Sequence, residues 1–322
     1  MKAVRVDAFG GPEVLQVHDV PRPRPGAGEA LVRIAVAGVN FMDVGNRRGR
    51  PGAKPGFILG GEGAGTVEAV GPNVTDVHVG DRVMYAMAPG AYAEYAVVPA
   101  HMLVPIPREV DFQHAAAIML QGTTAHYLLH DFAPVGAGTT VLVHAVAGGV
   151  GLLLTQIATH LGAHVIGTTS TEAKAAKAKA AGARDVILYT EADFVAETKR
   201  ITGGTGVDLI LDAVGKTTFA GDLEAVRVRG HIVVYGASSG PPDPIVPNST
   251  LMPKAISISG GSLANFLRTR EELLRRTDFL FAGLRAGWLK LSIDHVFPLA
   301  QASEAHRLLE SRATSGKLLL TP

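Results

Sequence analysis

The chain has 322 residues, 47% of them hydrophobic, with 38 glycines, 19 prolines and no cysteine. Such a length exceeds one ordinary core and implies two domains, while the lack of thiols excludes disulfides, thiolate nucleophiles, Cys-ligated zinc and iron–sulfur clusters. With 30 Lys+Arg against 29 Asp+Glu the formal charge is +1, so neither nucleic acid nor an anionic membrane is the expected partner. No apolar run approaches bilayer length, and Met1 to Asp7 places charges where a signal core would be apolar, so a cytoplasmic location is expected.

In chain order, the first third predicts short strands at Val14 to Val20, Leu31 to Val39, Thr66 to Val70 and Tyr92 to Val98, with polar residues alternating against apolar ones as in half-buried antiparallel sheets. Arg47 to Gly65, rich in Gly, Pro and basic residues, reads as loop and as a place for a substrate site. From about Ala115 strands and helices alternate: strand Thr140 to His144, helix Gly149 to Leu161, strand His164 to Thr168, helix Thr171 to Ala181, then strands Asp185 to Tyr189, Val207 to Asp212 and Gly230 to Tyr235. Their longer apolar runs predict a parallel sheet covered on both faces. After Ser259, a helix over Thr269 to Ala286, a strand Ile293 to Phe297, a helix Ala300 to Ser311 and a strand Lys317 to Leu320 are expected to return to the first domain.

The strand Thr140 to His144 runs into Ala145-Val146-Ala147-Gly148-Gly149-Val150-Gly151 and a helix. A turn without Cβ atoms lets backbone amides reach a pyrophosphate at the positive end of the helix. Against G-x-G-x-x-G the first glycine is replaced by Val146, while Gly148 and Gly151 keep their places. An NAD-type site needs a carboxylate at the end of the next strand; here stand Thr168, Thr169, Ser170 and Thr171. Small hydroxyl residues leave room for a 2′-phosphate, with Lys174 as a point charge one turn into the next helix. The alternative for Lys174 is one solvated lysine among three, with Lys177 and Lys179. Glu172, the nearest acid, is explained by the helix dipole.

Taken with this loop, Ala37-Gly38-Val39-Asn40-Phe41-Met42-Asp43, Gly60-Gly61-Glu62-Gly63-Ala64-Gly65-Thr66-Val67, Val79-Gly80-Asp81-Arg82-Val83, Tyr235-Gly236-Ala237-Ser238-Ser239-Gly240 and Glu310 to Lys317 resemble the zinc-independent quinone oxidoreductase branch of the medium-chain dehydrogenase/reductase superfamily, the relatives of zeta-crystallin. The resemblance spans nearly the whole chain. It implies an α/β fold with a barrel-like (GroES-like) catalytic domain over residues 1–118, completed by 264–322, and a Rossmann doubly wound parallel-sheet domain over 119–263 with strand order 3-2-1-4-5-6. It also implies NADPH in the cleft between them, and a homodimer. Where zinc-dependent cousins carry Cys and His ligands, this chain has Asn40 and Gly61, so no metal is expected. The family pattern assigns cofactor contacts to Asn40, Thr124, Tyr127, Gly148, Gly149, Val150, Thr169, Ser170, Lys174, Tyr189, Tyr235, Gly236, Ser262, Leu263 and Arg312. For Tyr127 and Tyr189 the alternative is half-buried packing; for Arg312 it is opposition to a helix C-terminal dipole. Relatives often carry a tyrosine in the loop after the Asn-containing strand; Arg47 to Phe57 has none, which leaves the acceptor open.

Asn40 is the candidate catalytic residue: its amide can donate to a carbonyl oxygen that gains charge as hydride arrives. The alternative is an N-cap for the turn after it. Asp43 reads as structural, since a carboxylate would repel the forming anion. His126 and His130 lie one turn apart but lack further ligands, and His144 reads as a core histidine. The expected function is metal-free NADPH-dependent reduction of quinones by hydride or one-electron transfer, the cofactor supplying the electrons and the protein a dry, oriented slot. Reduction of α,β-unsaturated aldehydes or ketones is the alternative within enzymes, and an NADPH-binding redox sensor or structural protein the alternative of another class.

Overall fold

The computed structural model describes residues 1–49 and 52–322, Arg50 and Pro51 lying outside the described residues. The chain forms two units: Met1–Thr123 with Leu267–Ala282 and Leu291–Pro322, and Thr124–Phe266 with Gly283–Lys290. The return of the C-terminal part to the first unit is thus interrupted. Residues 283–290 pack with the second unit, where Trp288 stacks on His160 with ring centroids 4.0 Å apart.

In the first unit the long strand Glu29–Val39 is the spine. It pairs antiparallel with Glu62–Val70, with Tyr95–Pro99 and with the last strand Lys317–Thr321, Leu318 lying opposite Val39. Arg82–Ala86 and Val104–Pro105 extend this sheet on one side and Ile293–Pro298 on the other, while Lys2–Val6 joins Gln16–Asp19 and Phe57–Ile58 in a second sheet. The strand path among the described residues is a folded pair of sheets rather than a closed barrel. The core joins both sheets to the helix Ala302–Glu310 through Val4, Val32, Ile34, Val67, Tyr92, Leu309 and Leu320.

Several sequence expectations change here. Arg47 to Gly65 is not all loop: Arg47 is buried in the helix Phe41–Arg48, Phe57–Ile58 is a strand, and Glu62 opens one. Tyr92 is not in a strand but fully buried ahead of Tyr95–Pro99. The strand predicted over Val14 to Val20 is a 3-10 turn, Pro12–Val14, followed by Gln16–Asp19.

The second unit is built on six parallel strands in the spatial order Asp185–Leu188, His164–Thr169, Thr140–Val143, Val207–Asp212, Val226–Val234, Ser257–Gly260. In chain order this is 3-2-1-4-5-6, the Rossmann arrangement. Leu142, Ile166, Ile210 and Ile232 are fully buried in adjacent strands, which explains why these segments read as unbroken apolar runs. The helices Gly149–His160, Glu172–Ala180, Phe194–Ile201 and Phe219–Ala225 supply the crossovers.

Candidate functional site

Ligands of an open parallel sheet bind beyond the carboxyl ends of its strands. The first strand leads through Ala145, at φ +50°, into Gly148, which caps the helix Gly149–His160 so that the amides of Gly149 and Val150 open its first turn. A Cβ at Gly151 would lie 2.4 Å from the Ala145 carbonyl oxygen, so the tight approach of helix to loop requires glycine there. The missing first glycine has a structural counterpart one strand away. Val146 is buried, and a Cβ on Gly167 would come within 2.6 Å of its side chain, so the absent atoms are at Gly167 instead. The loop keeps its shape through Val146 N–H donating to the Thr168 carbonyl at 3.1 Å.

The ends of the second and third strands meet at the same edge. Tyr189 N–H donates to the Thr169 carbonyl at 3.1 Å, and Thr190 Oγ1 donates to the Ser170 carbonyl at 3.1 Å. Thr171 caps the next helix by accepting from Lys174 N–H at 3.3 Å, which places Lys174 in the first turn beside Thr169 and Ser170. Thr169 is buried, Lys174 half-buried and Tyr189 exposed, so packing does not account for the tyrosine. No carboxylate ends the second strand. This edge fits a 2′-phosphate: small hydroxyls, one cation, one open aromatic ring.

Tyr235 and Gly236 follow the fifth strand, both N–H groups donating to the Asp212 carbonyl at 2.9 and 3.3 Å. A Cβ on Gly236 would meet the Ala213 carbonyl at 2.7 Å. Asp212 is buried and accepts from Val214 and Gly215 N–H and from the Thr218 hydroxyl, so it organises the turn after the fourth strand. Tyr127 lies buried in the helix Phe112–His130, stacked on Phe266 at 4.2 Å and covering Gly261, which precedes Ser262 and Leu263 after the sixth strand. Thr124 lies one turn earlier on that helix and is also buried. His126 and His130 stack at 4.1 Å with His130 Nδ1 2.9 Å from the His126 carbonyl. His144 is a core residue, bonded to Thr168 Oγ1 at 2.9 Å and to Asp222 Oδ1 at 2.7 Å.

Asn40 and Arg312 belong to the first unit. Arg312 is exposed at φ +57°, past the end of Ala302–Glu310, its N–H donating to the Leu309 carbonyl at 3.2 Å. Asn40 is the N-cap residue of Phe41–Arg48, and Asp43 accepts from its backbone N–H at 2.9 Å. Its side chain lies in a polar cluster missed by reading the residues singly. Lys317 Nζ donates to Asn40 Oδ1 at 2.8 Å and to Glu62 Oε2 at 2.5 Å; Asn40 Nδ2 donates to the same carboxylate oxygen at 2.9 Å and to the Gly38 carbonyl at 3.3 Å. Leu120 N–H takes the other Glu62 oxygen at 2.5 Å. Gly38 makes the room, since a Cβ there would fall 2.2 Å from Glu62 Oε2. A Cβ at Gly61 would lie 2.6 Å from Met42 Cε, so a methyl group fills the place where a larger residue would start.

Behind Asn40 runs a buried chain. Arg47 donates to His306 Nδ1 at 3.0 Å, His306 Nε2 lies 3.1 Å from Tyr92 Oη, and Tyr92 donates to Asp43 Oδ2 at 3.2 Å. Because guanidinium only donates, His306 Nδ1 is the acceptor and the proton sits on Nε2, which sets the direction of the whole chain. Burial pushes the Asp43 carboxyl up to about 7 and, with the Arg47 charge, pulls His306 down to about 3. The signal available in the sequence was charge in apolar company: Glu62 among Gly and Ala, Lys317 at the head of three leucines.

The family model for the alcohol dehydrogenase GroES-like domain matches residues 26–108, and that for zinc-binding dehydrogenases residues 149–278. A quinone oxidoreductase of Pseudomonas aeruginosa is 39% identical over 325 residues, covering 100% of this chain and 99% of that protein. A 2-haloacrylate reductase of a Burkholderia species is also 39% identical, over 97% of this chain and 96% of its own length. A mycobacterial protein whose structure holds NADPH superposes with a TM-score of 0.96 at 44% identity, covering 100% of both chains. Full-length identity at this level, with both domain models matched and the Rossmann strand order in place, shows that the chain belongs to the zeta-crystallin-like quinone oxidoreductases of the medium-chain dehydrogenase/reductase superfamily.

Proposed function

We propose that this enzyme reduces quinones with electrons from NADPH, without a metal, by placing the acceptor oxygen against the Asn40 amide. The cofactor is NADPH, as in the mycobacterial relative. The observation that carries the cofactor reading in this chain is the acid-free end of His164–Thr169 with Lys174 and Tyr189 beside it. Gly148, Gly149 and Val150 would hold the pyrophosphate at the helix N-terminus. Lys174, Thr169 and Ser170 would hold the 2′-phosphate, with Tyr189 against the adenosine. Thr124, Tyr127, Tyr235, Gly236, Ser262 and Leu263 would complete the remaining contacts, with Arg312 as a further cation. When bound, NADPH supplies the hydride.

The chain's own contribution is orientation and charge stabilisation. Of the two Asn40 amide hydrogens, one is committed to a carboxylate at 2.9 Å; the other, 3.3 Å from the Gly38 carbonyl, is the weaker bond and the one an acceptor oxygen can replace. A reduced quinone is an aromatic anion that water can protonate, so no buried acid is required. A second reading, reduction of a carbon–carbon double bond conjugated to a carbonyl or carboxylate, is favoured by the haloacrylate reductase standing at the same identity as the quinone enzyme. Purified protein mixed with NADPH or NADH and a panel of ortho-quinones, para-quinones, enones and a 2-haloacrylate, followed by nicotinamide absorbance, decides between them. Quinone turnover exceeding enone turnover is expected; the reverse order establishes the second reading.

A further inference from the structure

The side chains around Asn40 leave its amide one orientation. Lys317 carries only donors and an ionised carboxylate offers only acceptors. With Lys317 Nζ 2.8 Å from Oδ1 and Glu62 Oε2 2.9 Å from Nδ2, a flipped amide would set N–H against ammonium and oxygen against carboxylate. All three residues are buried, so no water screens that mismatch. The strand register makes the arrangement rigid: Leu318 pairs with Val39, which brings Lys317 level with Asn40, and Leu120 N–H fixes the far oxygen of Glu62. The Lys317 and Glu62 charges are paired with each other across the amide. The amide hydrogen that remains weakly engaged, at 3.3 Å from the Gly38 carbonyl, is therefore always the same one.

We propose that Lys317 and Glu62 are positioning residues for the reduction: they lock the Asn40 side chain so that one N–H is presented to the acceptor oxygen. This rests on the reading of Asn40 given above. The test combines Glu62→Gln/Lys317→Met, which removes both charges together and leaves no lone buried ion, with Asn40→Ala and the triple variant. Expected for the double variant are NADPH affinity within about twofold of wild type by fluorescence titration and a kcat/KM lowered by about 10-fold, the scale of one hydrogen bond lost in a dry site. In the Asn40→Ala background the double substitution should cost nothing further. In protein labelled with 15N-asparagine, the Asn40 side-chain amide should exchange slowly with solvent in wild type and faster in the double variant.

Wild-type kcat/KM in the folded double variant, or losses that multiply with Asn40→Ala, would overturn the proposal. If the double variant does not fold, Glu62→Gln/Lys317→Gln replaces it, because a glutamine on each side of the amide offers both donor and acceptor and so permits both orientations; undiminished kcat/KM there overturns the proposal equally. If wild type turns over no acceptor in the panel, the functional reading fails by itself, and the exchange rates alone decide the locking: equal rates in wild type and variant refute it.

Discussion

At the scale of single residues, cofactor choice rests on Lys174 and on what is absent beside it. Lys174 stands in the first turn after the second Rossmann strand, and Thr169, where an NAD-type carboxylate would stand, is a buried threonine. Lys174→Ala should weaken NADPH by about 1.5–3 kcal/mol, one charged hydrogen bond, and leave NADH nearly unchanged. Adding Thr169→Asp supplies a ribose acceptor and repels the phosphate, so the pair of substitutions should reverse the preference. Titration of both nucleotides into both variants checks this; equal weakening by Lys174→Ala would move the phosphate elsewhere. Metal independence is also a residue-scale matter. Gly61 has no donor, Met42 Cε fills its space, and the nearest cation to Asn40 Oδ1 is the Lys317 ammonium, which a divalent ion would have to displace. Turnover should survive strong chelators, and a loss restored by zinc would refute the metal-free mechanism.

At the scale of elements, the buried chain joining Phe41–Arg48 to Ala302–Glu310 predicts two opposed pH dependences. Asp43 is raised from 3.8 to about 7, so its proton binds the folded state more tightly; that stabilisation is complete below 3.8 and is lost as pH rises through 7. His306 is lowered from 6.5 to about 3, so its contribution is complete above 6.5 and is lost as pH falls through 3. Facing them are Arg47, Glu310, Tyr92, Glu62 and Lys317. Between about pH 4 and 6.5 the two slopes oppose each other, each at most about 1.4 kcal/mol per pH unit. Asp43→Asn should therefore gain stability relative to wild type as pH rises from 4 to 7, and His306→Gln as pH falls from 6.5 to 3. Urea unfolding across this range measures both; parallel curves for wild type and variants would show that neither group titrates there. This chain also marks the limit of what the sequence disclosed. The parallel strands were legible because burial on both faces leaves unbroken runs such as Thr140 to Val143, and the cofactor loop because its glycines follow one of those runs. Lys2–Val6 and Arg82–Ala86 were not, because Ala3 and Val4, like Val83 and Met84, are buried in succession and break the alternation expected of a half-buried strand. The Glu62–Lys317 pair joins residues 255 positions apart, and only the antiparallel register of the first unit brings them together.

At the scale of the whole molecule, the six-stranded sheet ends on Ser257–Gly260, a four-residue strand that among the described residues pairs only with Val226–Val234. An uncharged open edge is a template for another chain unless something covers it. Leading into it, Val246 and Met252 are 67% and 71% exposed, high values for large apolar side chains, and Val228 on the neighbouring strand is 58% exposed. A two-fold assembly that joins the edges of two such sheets covers the open backbone groups and the apolar side chains at once, because an isologous contact buries the same patch twice. The family resemblance carries the same expectation, and we propose a homodimer through this edge. Sedimentation at micromolar concentration should give a dimer. Val246→Lys/Met252→Lys, at exposed positions where folding loses little, should shift it toward monomer by placing like charges across the two-fold axis. A wild-type monomer, or a dimer indifferent to both lysines, would place the contact elsewhere or remove it.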